Sequence, residues 1–311
     1  MIYYGEIQCQ FMVASTKKRC TNLAYYESNG MFGCGVHTKR DKTRKKLSMN
    51  PNKKEIDKKK WEEQLGEIKS VSELNKKKGI KGHVIVSKFR MMRKPEYKKG
   101  YLNVFPNYKH RGRKDGFGCA SLSPKSLGPV QHTMPNLPPA LNIENYHQFA
   151  KFWAFELDEN NNILPQYIKK RKEMYQSTIP YRHKYDRKIL KKMNNNINIP
   201  LFSAYYTKDG IEKRYSYVEC RYFYCHYYER LAKQTSDFKT LKKMIQDGYN
   251  LNIVGYDGYA VTTSLWEMYV DTSRPFGHEM VLYCLLIEDD PSQYPWNQYY
   301  TKHKDIYKDV I

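Results

Sequence analysis

From residue 200 onward, apolar and polar positions follow one another regularly enough to predict a succession of elements. Leu201 to Tyr206 and Arg214 to Val218 read as two strands about the turn Lys208-Asp209-Gly210, a hairpin. Glu219 to Lys233 follows as a helix. A second helix begins at Asp237, with Phe238, Leu241 and Ile245 on one face and Gly248 as its stop. Leu251 to Val254 is a β-prone run that enters Gly255-Tyr256-Asp257-Gly258-Tyr259. Thr263 to Val270 reads as a short helix and Gly277 to Ile287 as a buried one. This order of helix, strand, polar loop and helix predicts an α+β or α/β domain, and in such folds ligands collect beyond the carboxyl ends of strands.

The upstream pattern is less regular. Lys53 to Leu65 is a charged helical stretch with only Ile56, Trp61 and Leu65 apolar, and Val84-Ile85-Val86 is a short strand in basic surroundings. Glycines and prolines crowd Asn107 to Pro139, a run that also holds Lys114, Asp115, Cys119, Ser121, Ser123, Lys125 and His132, so a long irregular loop is expected there. Asn145 to Phe155 reads as a helix with Tyr146, Phe149, Phe152 and Trp153 at helical spacing, an aromatic stripe of the core. Leu164-Pro165 opens a basic segment over Gln166 to Gln176. Pro180-Tyr181-Arg182-His183-Lys184-Tyr185 mixes basic and aromatic residues, as suits stacking on bases beside phosphates or a solvated turn. The expected organisation is a module over residues 1–48, a basic arm over 49–105 and a mixed α/β domain over 106–311.

Charge sharpens this division. The 311 residues carry 54 Lys and Arg against 32 Asp and Glu, a net of +22. Thr38 to Lys114 holds 26 basic and 8 acidic residues, a net of +18, whereas the last 62 residues hold 4 and 9, a net of −5. A positive block of this density points to phosphate-backbone binding with counterion release, DNA and RNA being equivalent at this level. A solvated tether is the alternative. Lys45, Lys46, Lys58, Lys59, Lys60, Arg111, Arg113 and Lys114 are the candidate contacts. The N-terminus lacks the basic and apolar regions of a signal peptide, and the longest apolar run, Met280 to Ile287, has eight residues against the roughly 20 that span a bilayer. Seven cysteines, irregularly spaced, argue against a secreted disulfide framework. An intracellular, non-secreted protein without membrane partners is the expectation.

Cys9, Cys20, Cys34 and His37, in the arrangement Cys-x10-Cys-x13-Cys-x2-His, carry the chemistry most closely defined by residue type. Three thiolates and an imidazole suit a closed tetrahedral zinc site, structural rather than catalytic because no position is left open. Gly33 and Gly35 supply backbone freedom for the Cys34–His37 knuckle. Three buried thiols beside a surface histidine is the alternative. The surrounding Arg19-Cys20-Thr21-Asn22-Leu23-Ala24 and Gly33-Cys34-Gly35-Val36-His37 resemble the small Cys3His modules of chromatin-associated eukaryotic proteins. The resemblance covers about 30 residues and implies a zinc-stabilised module that touches DNA or protein, with no catalytic residue.

Two further constellations lie in the C-terminal half. Asp257 follows a strand within Gly255-Tyr256-Asp257-Gly258, placed to bind a ribose hydroxyl or act as a base. Arg274-Pro275-Phe276-Gly277-His278-Glu279 opens a helix whose free N–H groups, with Arg274, suit an anion. Tyr256 and Gly277 would complete a nucleotide-sized polar pocket; alternatively these residues are turns and caps. Ile143-Glu144-Asn145-Tyr146-His147-Gln148-Phe149-Ala150-Lys151-Phe152 resembles the Glu-His-x-x-Gln-x-x-Lys stretch of the NADAR proteins, a family associated with ADP-ribose and N-glycosidic chemistry. Glu144, Gln148 and Lys151 match, and Asn145 stands where the family has His. The resemblance implies Glu144 as acid or base at a glycosidic bond, with Lys151 near a phosphate. More broadly the chain resembles uncharacterised proteins of nucleocytoplasmic large DNA viruses, which implies a host-cytoplasm, viral-factory or virion setting and supplies no activity.

The leading functional expectation is therefore a zinc-containing, nucleic-acid-associated protein with a basic arm. The alternative is an N-glycosidase, or a hydrolase of a nucleotide or ADP-ribose-like ligand, acting through Glu144, Asp257, His278 and Glu279. A packaging or interaction protein without chemistry is the third.

Overall fold

The computed structural model describes residues 2–90, 94–183 and 200–310. The chain divides into two compact units, Met1–Gln64 and Leu65–Ile311. In the first, β1 (Tyr26–Ser28), β2 (Met31–Gly33) and β3 (Lys45–Lys46) form an antiparallel sheet in the order β2-β1-β3. Asn29 and Gly30 join β1 to β2 at φ of 50° and 72°, the positive values that a tight two-residue hairpin turn demands. Helix α1 (Lys53–Lys77) crosses the boundary, and only Ile68 and Ser72 along it are buried.

The second unit continues through β4 (Val84–Lys88), β5 (Tyr101–Phe105), β6 (Phe117–Gly118), α2 (Ile143–Gln148), β7 (Lys151–Phe152) and α3 (Pro165–Tyr175). Then come β8 (Phe202–Tyr206), β9 (Glu212–Tyr215), α4 (Glu219–Ala232), α5 (Ser236–Gln246), β10 (Asn250–Gly255), α6 (Leu265–Val270), α7 (His278–Ile287), α8 (Pro295–Lys302) and α9 (Lys304–Tyr307). A parallel sheet runs β4-β10-β5-β6, and a smaller antiparallel sheet runs β7-β8-β9. Mixed helices and sheets, with parallel and antiparallel pairing in separate sheets, are the α+β or α/β class expected from the pattern.

Strand β10 lies between β4 and β5 and is buried from Leu251 to Gly255. A parallel strand covered on both faces must be apolar at consecutive positions; the one polar exception, Asn252, donates from Nδ2 to Asn103 Oδ1 on β5 at 2.8 Å. Helix α7 is buried at seven of its ten residues, as a helix apolar all round must be. It packs on α4, β4 and β10. Tyrosine fills much of the remaining core. Tyr146, Tyr175, Tyr205, Tyr215, Tyr228, Tyr269 and Tyr307 are all buried. Several place the hydroxyl on a carbonyl: Tyr228 donates to Leu122 O at 2.7 Å, Tyr307 to Glu219 O at 2.8 Å and Tyr215 to Ile306 O at 2.9 Å. Each such bond offsets the cost of sinking a phenol into the interior.

Three sequence expectations change. Residues 49–105 are not all arm: β4 and β5 lie there and flank the central strand, burying Val84, Val86, Leu102 and Val104. The helix expected over Asn145 to Phe155 ends at Gln148, because Lys151 and Phe152 pair with Ser203 and Phe202 of β8. Tyr146, Phe149, Phe152 and Trp153 are nonetheless buried, as a core stripe should be. The Gly- and Pro-rich stretch after Asn107 is mostly irregular, yet Cys119, Leu122, Leu127, Val130 and Met134 are buried, so it forms part of the core rather than a surface excursion. Among the described residues no helix is long and apolar enough to cross a membrane.

One core group ties stability to pH. Burial, against the pull of the Pro138 carbonyl and with help from the Arg171 guanidinium, holds His132 down at about 4. An unfolded histidine binds its proton near pH 6.5, so this contribution is complete above that pH and is lost as pH falls toward 4. Denaturant midpoints should therefore decline between pH 6.5 and 4.5, and His132→Gln should flatten part of the decline. An unchanged slope in the variant would exclude His132 as a cause.

Candidate metal centre and candidate active site

In the first unit the spacing of the cysteines is explained by a second hairpin. Gln8 pairs with Leu23 and Met12 with Arg19. The Cys9 N–H donates to Asn22 O at 2.7 Å and the Cys20 N–H to Phe11 O at 2.9 Å. Ten intervening residues thus fold back and bring Cys9 beside Cys20, while Cys34 and His37 follow directly after β2. The four ligand atoms lie within 4.8 Å of one another. Cys9 Sγ is 3.5 Å and Cys34 Sγ 3.4 Å from His37 Nδ1, and Cys20 Sγ is 4.0 Å from Cys34 Sγ. A tetrahedral centre with metal–sulfur bonds of about 2.3 Å and metal–nitrogen bonds of about 2.0 Å has edges of roughly 3.5 to 3.8 Å. The group therefore fits one metal ion.

The surroundings suit thiolates. The Cys34 N–H points at Cys9 Sγ (3.3 Å), the Asn22 N–H at Cys20 Sγ (3.4 Å) and Asn22 Nδ2 at Cys34 Sγ (3.7 Å). Burial pushes the Cys34 thiol up, but donors from the His37 and Val36 backbone and the Asn22 amide outweigh it and hold it at about 6. Gly33 matters for space rather than for its backbone angles. A Cβ there would stand 2.4 Å from Thr38 Cγ2 and 2.7 Å from the Phe11 ring, whereas one on Gly35 would meet only Tyr26 at 3.6 Å. Neither glycine has positive φ.

In the second unit a cavity of about 680 Å³ opens beyond the carboxyl ends of β5 and β10. Glu144, Lys151, Tyr256, Asp257, Gly277, His278 and Glu279 all line it. Helix α2 explains the first of these. Asn142 caps it, accepting the Asn145 N–H at 2.8 Å. Positions 144, 147 and 148 are then i, i+3 and i+4 and face the cavity, while Lys151 reaches it from β7. Asn145 faces away. Its Nδ2 donates to the carbonyls of Met174, Ser177 and Ile179 at 2.9 to 3.1 Å, and its Oδ1 accepts the Tyr181 N–H at 2.7 Å. Where the NADAR stretch has His, this chain has a structural anchor.

The carboxylates are held differently from one another. Glu144 Oε1 accepts from Gln148 Nε2 at 3.2 Å. Glu279 is fully buried at the start of α7 and its Oε1 accepts the Asp257 N–H at 3.4 Å. His278 Nε2 stands 3.0 Å from Pro106 O and must donate to it, which turns Nδ1 toward Glu279 Oε2 at 3.1 Å. That approach is off line for a hydrogen bond, so Oε2 has no hydrogen-bonding partner among the described residues.

Cations outnumber carboxylates around this space. Lys109, Lys125, Lys151, Arg182 and Arg221 line it alongside Glu144, Asp257 and Glu279. The Lys151 ammonium makes no hydrogen bond or ion pair among the described residues, and burial pushes its pKa down. Arg221 gathers the Tyr269, Asp271 and Arg274 carbonyls, leaving Nε without a partner among the described residues. Arg274, expected at the anion site, is exposed and lies over the Tyr259 ring instead. His147 also lines the cavity, and burial pushes it well below its ordinary value, then Lys151 adds to the effect. Sequence reasoning missed His147 and Arg221. The helical spacing from Glu144 would have found the first; nothing local marks the second. Of the basic–aromatic run, Arg182 lines the cavity, His183 is buried against Glu156 at 2.7 Å, and Lys184 and Tyr185 lie outside the described residues.

The candidate phosphate contacts differ in how free they are, and they belong to both units. Lys45 and Lys46 are exposed on β3, and Lys59 and Lys60 are exposed on α1, where Lys58 lies 3.8 Å from Glu62. Arg111 and Lys114 are exposed, but Arg113 is engaged by Asp115 through two hydrogen bonds and stacks over Phe105. No family model matches the chain, and neither a curated protein nor a solved structure matches it.

The metal group carries a direct test. The purified protein should hold close to one metal ion per chain through gel filtration, and Cys34→Ser combined with His37→Ala should lose it. Full retention by the double variant would mean that the ion sits elsewhere.

Proposed function

We propose that the second unit is a hydrolase of nucleotide-like ligands, an N-glycosidase acting at a glycosidic bond, and that the first unit is a zinc-stabilised module. The observation that carries the enzyme reading is the convergence of Glu144, Asp257 and Glu279, which come from three separate elements, on one cavity that also holds an unpaired lysine.

In this reading a phosphate-bearing glycoside enters with its anionic groups toward Lys151, Arg182 and Arg221, where an unpaired cation is most useful. Asp257 holds ribose hydroxyls. Glu144 serves as the acid or base at the glycosidic bond, and Gln148 orients it. Glu279 keeps the Asp257 loop in place. Zinc is the ion favoured by three thiolates and an imidazole in a closed set, with folding free energy as its contribution rather than chemistry.

Non-catalytic phosphate-backbone binding through Lys45, Lys46, Lys58, Lys59, Lys60, Arg111, Arg113 and Lys114 is the second reading. What supports it is the exposure of the lysines on β3 and α1; it weakens at Arg113, already committed to Asp115.

Free base should be released from nucleotides, NAD or ADP-ribose derivatives by the wild-type protein. Asp257→Asn and Glu144→Gln should each reduce that release by about a hundredfold or more while leaving Tm nearly unchanged, because a cavity carboxylate serves binding or turnover rather than packing. Large losses of stability with no ligand detected in a nucleotide thermal-shift screen would sink the enzyme reading. Elemental analysis finding about one zinc per chain, rather than iron or copper, is the expected identity of the metal.

A further inference from the structure

A second cavity, of about 640 Å³, is lined by Tyr108, Arg111, Ala120, Ser121, Ser126, Leu127, Gly128, Leu231, Gln234 and Thr235. Two of the loops that line it also line the first. The loop after β5 gives Asn107 to His110 to the first cavity and Tyr108 with Arg111 to the second; the next loop gives Ser123 to Lys125 to the first and residues on either side of them to the second. Tyr108 lines both and is 47% exposed. The two spaces therefore adjoin at the Tyr108 ring. The loop carrying that ring is pressed onto β6, since a Cβ on Gly118 would meet the His110 carbonyl oxygen at 2.2 Å.

The chemistry of the second space differs from that of the first. It has no carboxylate in its lining; Arg111 supplies a cation, Ser126 a hydroxyl, Gln234 an amide, and Ala120 and Leu127 an apolar floor, while the Thr235 hydroxyl caps α5, accepting the Phe238 N–H and donating to Ala232 O. Ser121 is already bonded to Asp237. Lys109 and Lys125 line the first cavity with Tyr108 and the 42%-exposed Tyr256, and Arg111 lines the second with Tyr108. Spaced cations with exposed aromatic faces are what a sugar–phosphate chain with unstacked bases requires.

We propose that the second cavity is a subsite for the neighbouring nucleotide of a single-stranded nucleic acid, whose target residue occupies the first cavity and whose adjoining base stacks on Tyr108. The proposal rests on the reading of the first cavity as a nucleotide site, and it makes the substrate a strand rather than a free nucleotide. A single strand presents the face of that adjoining base to Tyr108 without the cost of unpairing and unstacking that a duplex would bear.

The test compares a fluorescein-labelled single-stranded 12-mer of mixed sequence, the same sequence as duplex, nucleoside monophosphates and ADP-ribose, against wild type, Tyr108→Ala and the pair Arg111→Glu with Ser126→Asp. The single strand should bind about tenfold or more tightly than any monophosphate. That advantage should disappear in the Arg111/Ser126 pair, while monophosphate affinity stays within about twofold. A strand that binds no better than a monophosphate, or that is indifferent to the Arg111/Ser126 pair, overturns the subsite. So does an equal advantage for duplex or for ADP-ribose alone. Failure of the first-cavity reading is seen separately, as Asp257→Asn having no effect on the binding of any ligand.

Discussion

At the end of the central strand, Gly255 passes so close to the first turn of α7 that a Cβ on it would stand 1.8 Å from Glu279 Oε1. This contact joins the middle of the parallel sheet to the most buried helix, and everything around the cavity takes its position from the join. The chain leaving β10 must turn at Tyr256 and Asp257, whose N–H meets the Glu279 carboxylate. On the other side His278 reaches Pro106 O, at the end of β5. Two adjacent strands and one helix are thereby held to a single corner, the place where parallel sheets open toward a ligand. A side chain at residue 255 would push the helix from the strand and move Asp257, His278 and Glu279 together.

The remaining walls depend on polar groups buried for a structural purpose. Asn145 binds three carbonyls of the segment after α3 and one N–H, so that the chain from Met174 to Tyr181 is gathered against α2. Arg182 follows that segment into the cavity. Arg221 does the equivalent for the stretch from Tyr269 to Arg274. An arginine surrounded by carbonyls keeps its charge without a carboxylate, since five N–H donors disperse it over several acceptors. Irregular backbone can then line a cavity without orphaned groups, a condition that loops buried this deeply must meet.

Legibility in the sequence followed the length scale of each interaction. Hairpins, caps and stops were readable because their residues are neighbours: Lys208-Asp209-Gly210 turns where expected, and Gly248 ends α5 at φ of 88°. Asn29-Gly30 was equally readable and was overlooked, hidden between strands of three residues. Strand β5 was not legible, because Tyr101-Leu102-Asn103-Val104-Phe105 makes sense only when Asn103 is seen to pair with Asn252, some 150 positions away. The same limit divides the site. Glu144, Gln148 and Lys151 lie on one short stretch and were found from it, whereas Arg221 serves the cavity from a helix whose local pattern is simply apolar and aromatic. Arg274 was chosen for being next to Gly277; proximity in the chain carried no information about which cation the fold turns inward.

Lys151 is the least compensated charge in this cavity. Burial disfavours its ammonium, and Glu144 and Asp257, the carboxylates close enough to favour it, make no ion pair with it among the described residues. Glu144 is turned toward Gln148, and the backbone N–H of Asp257 is turned toward Glu279. A lysine and a carboxylate left free to meet in a confined space ordinarily do so, because each compensates the desolvation of the other. Here the helix and the loop hold them apart, so neither charge is cancelled from within the protein. An anionic group at the lysine would relieve that separation, and the phosphate-bearing glycoside proposed above would supply one.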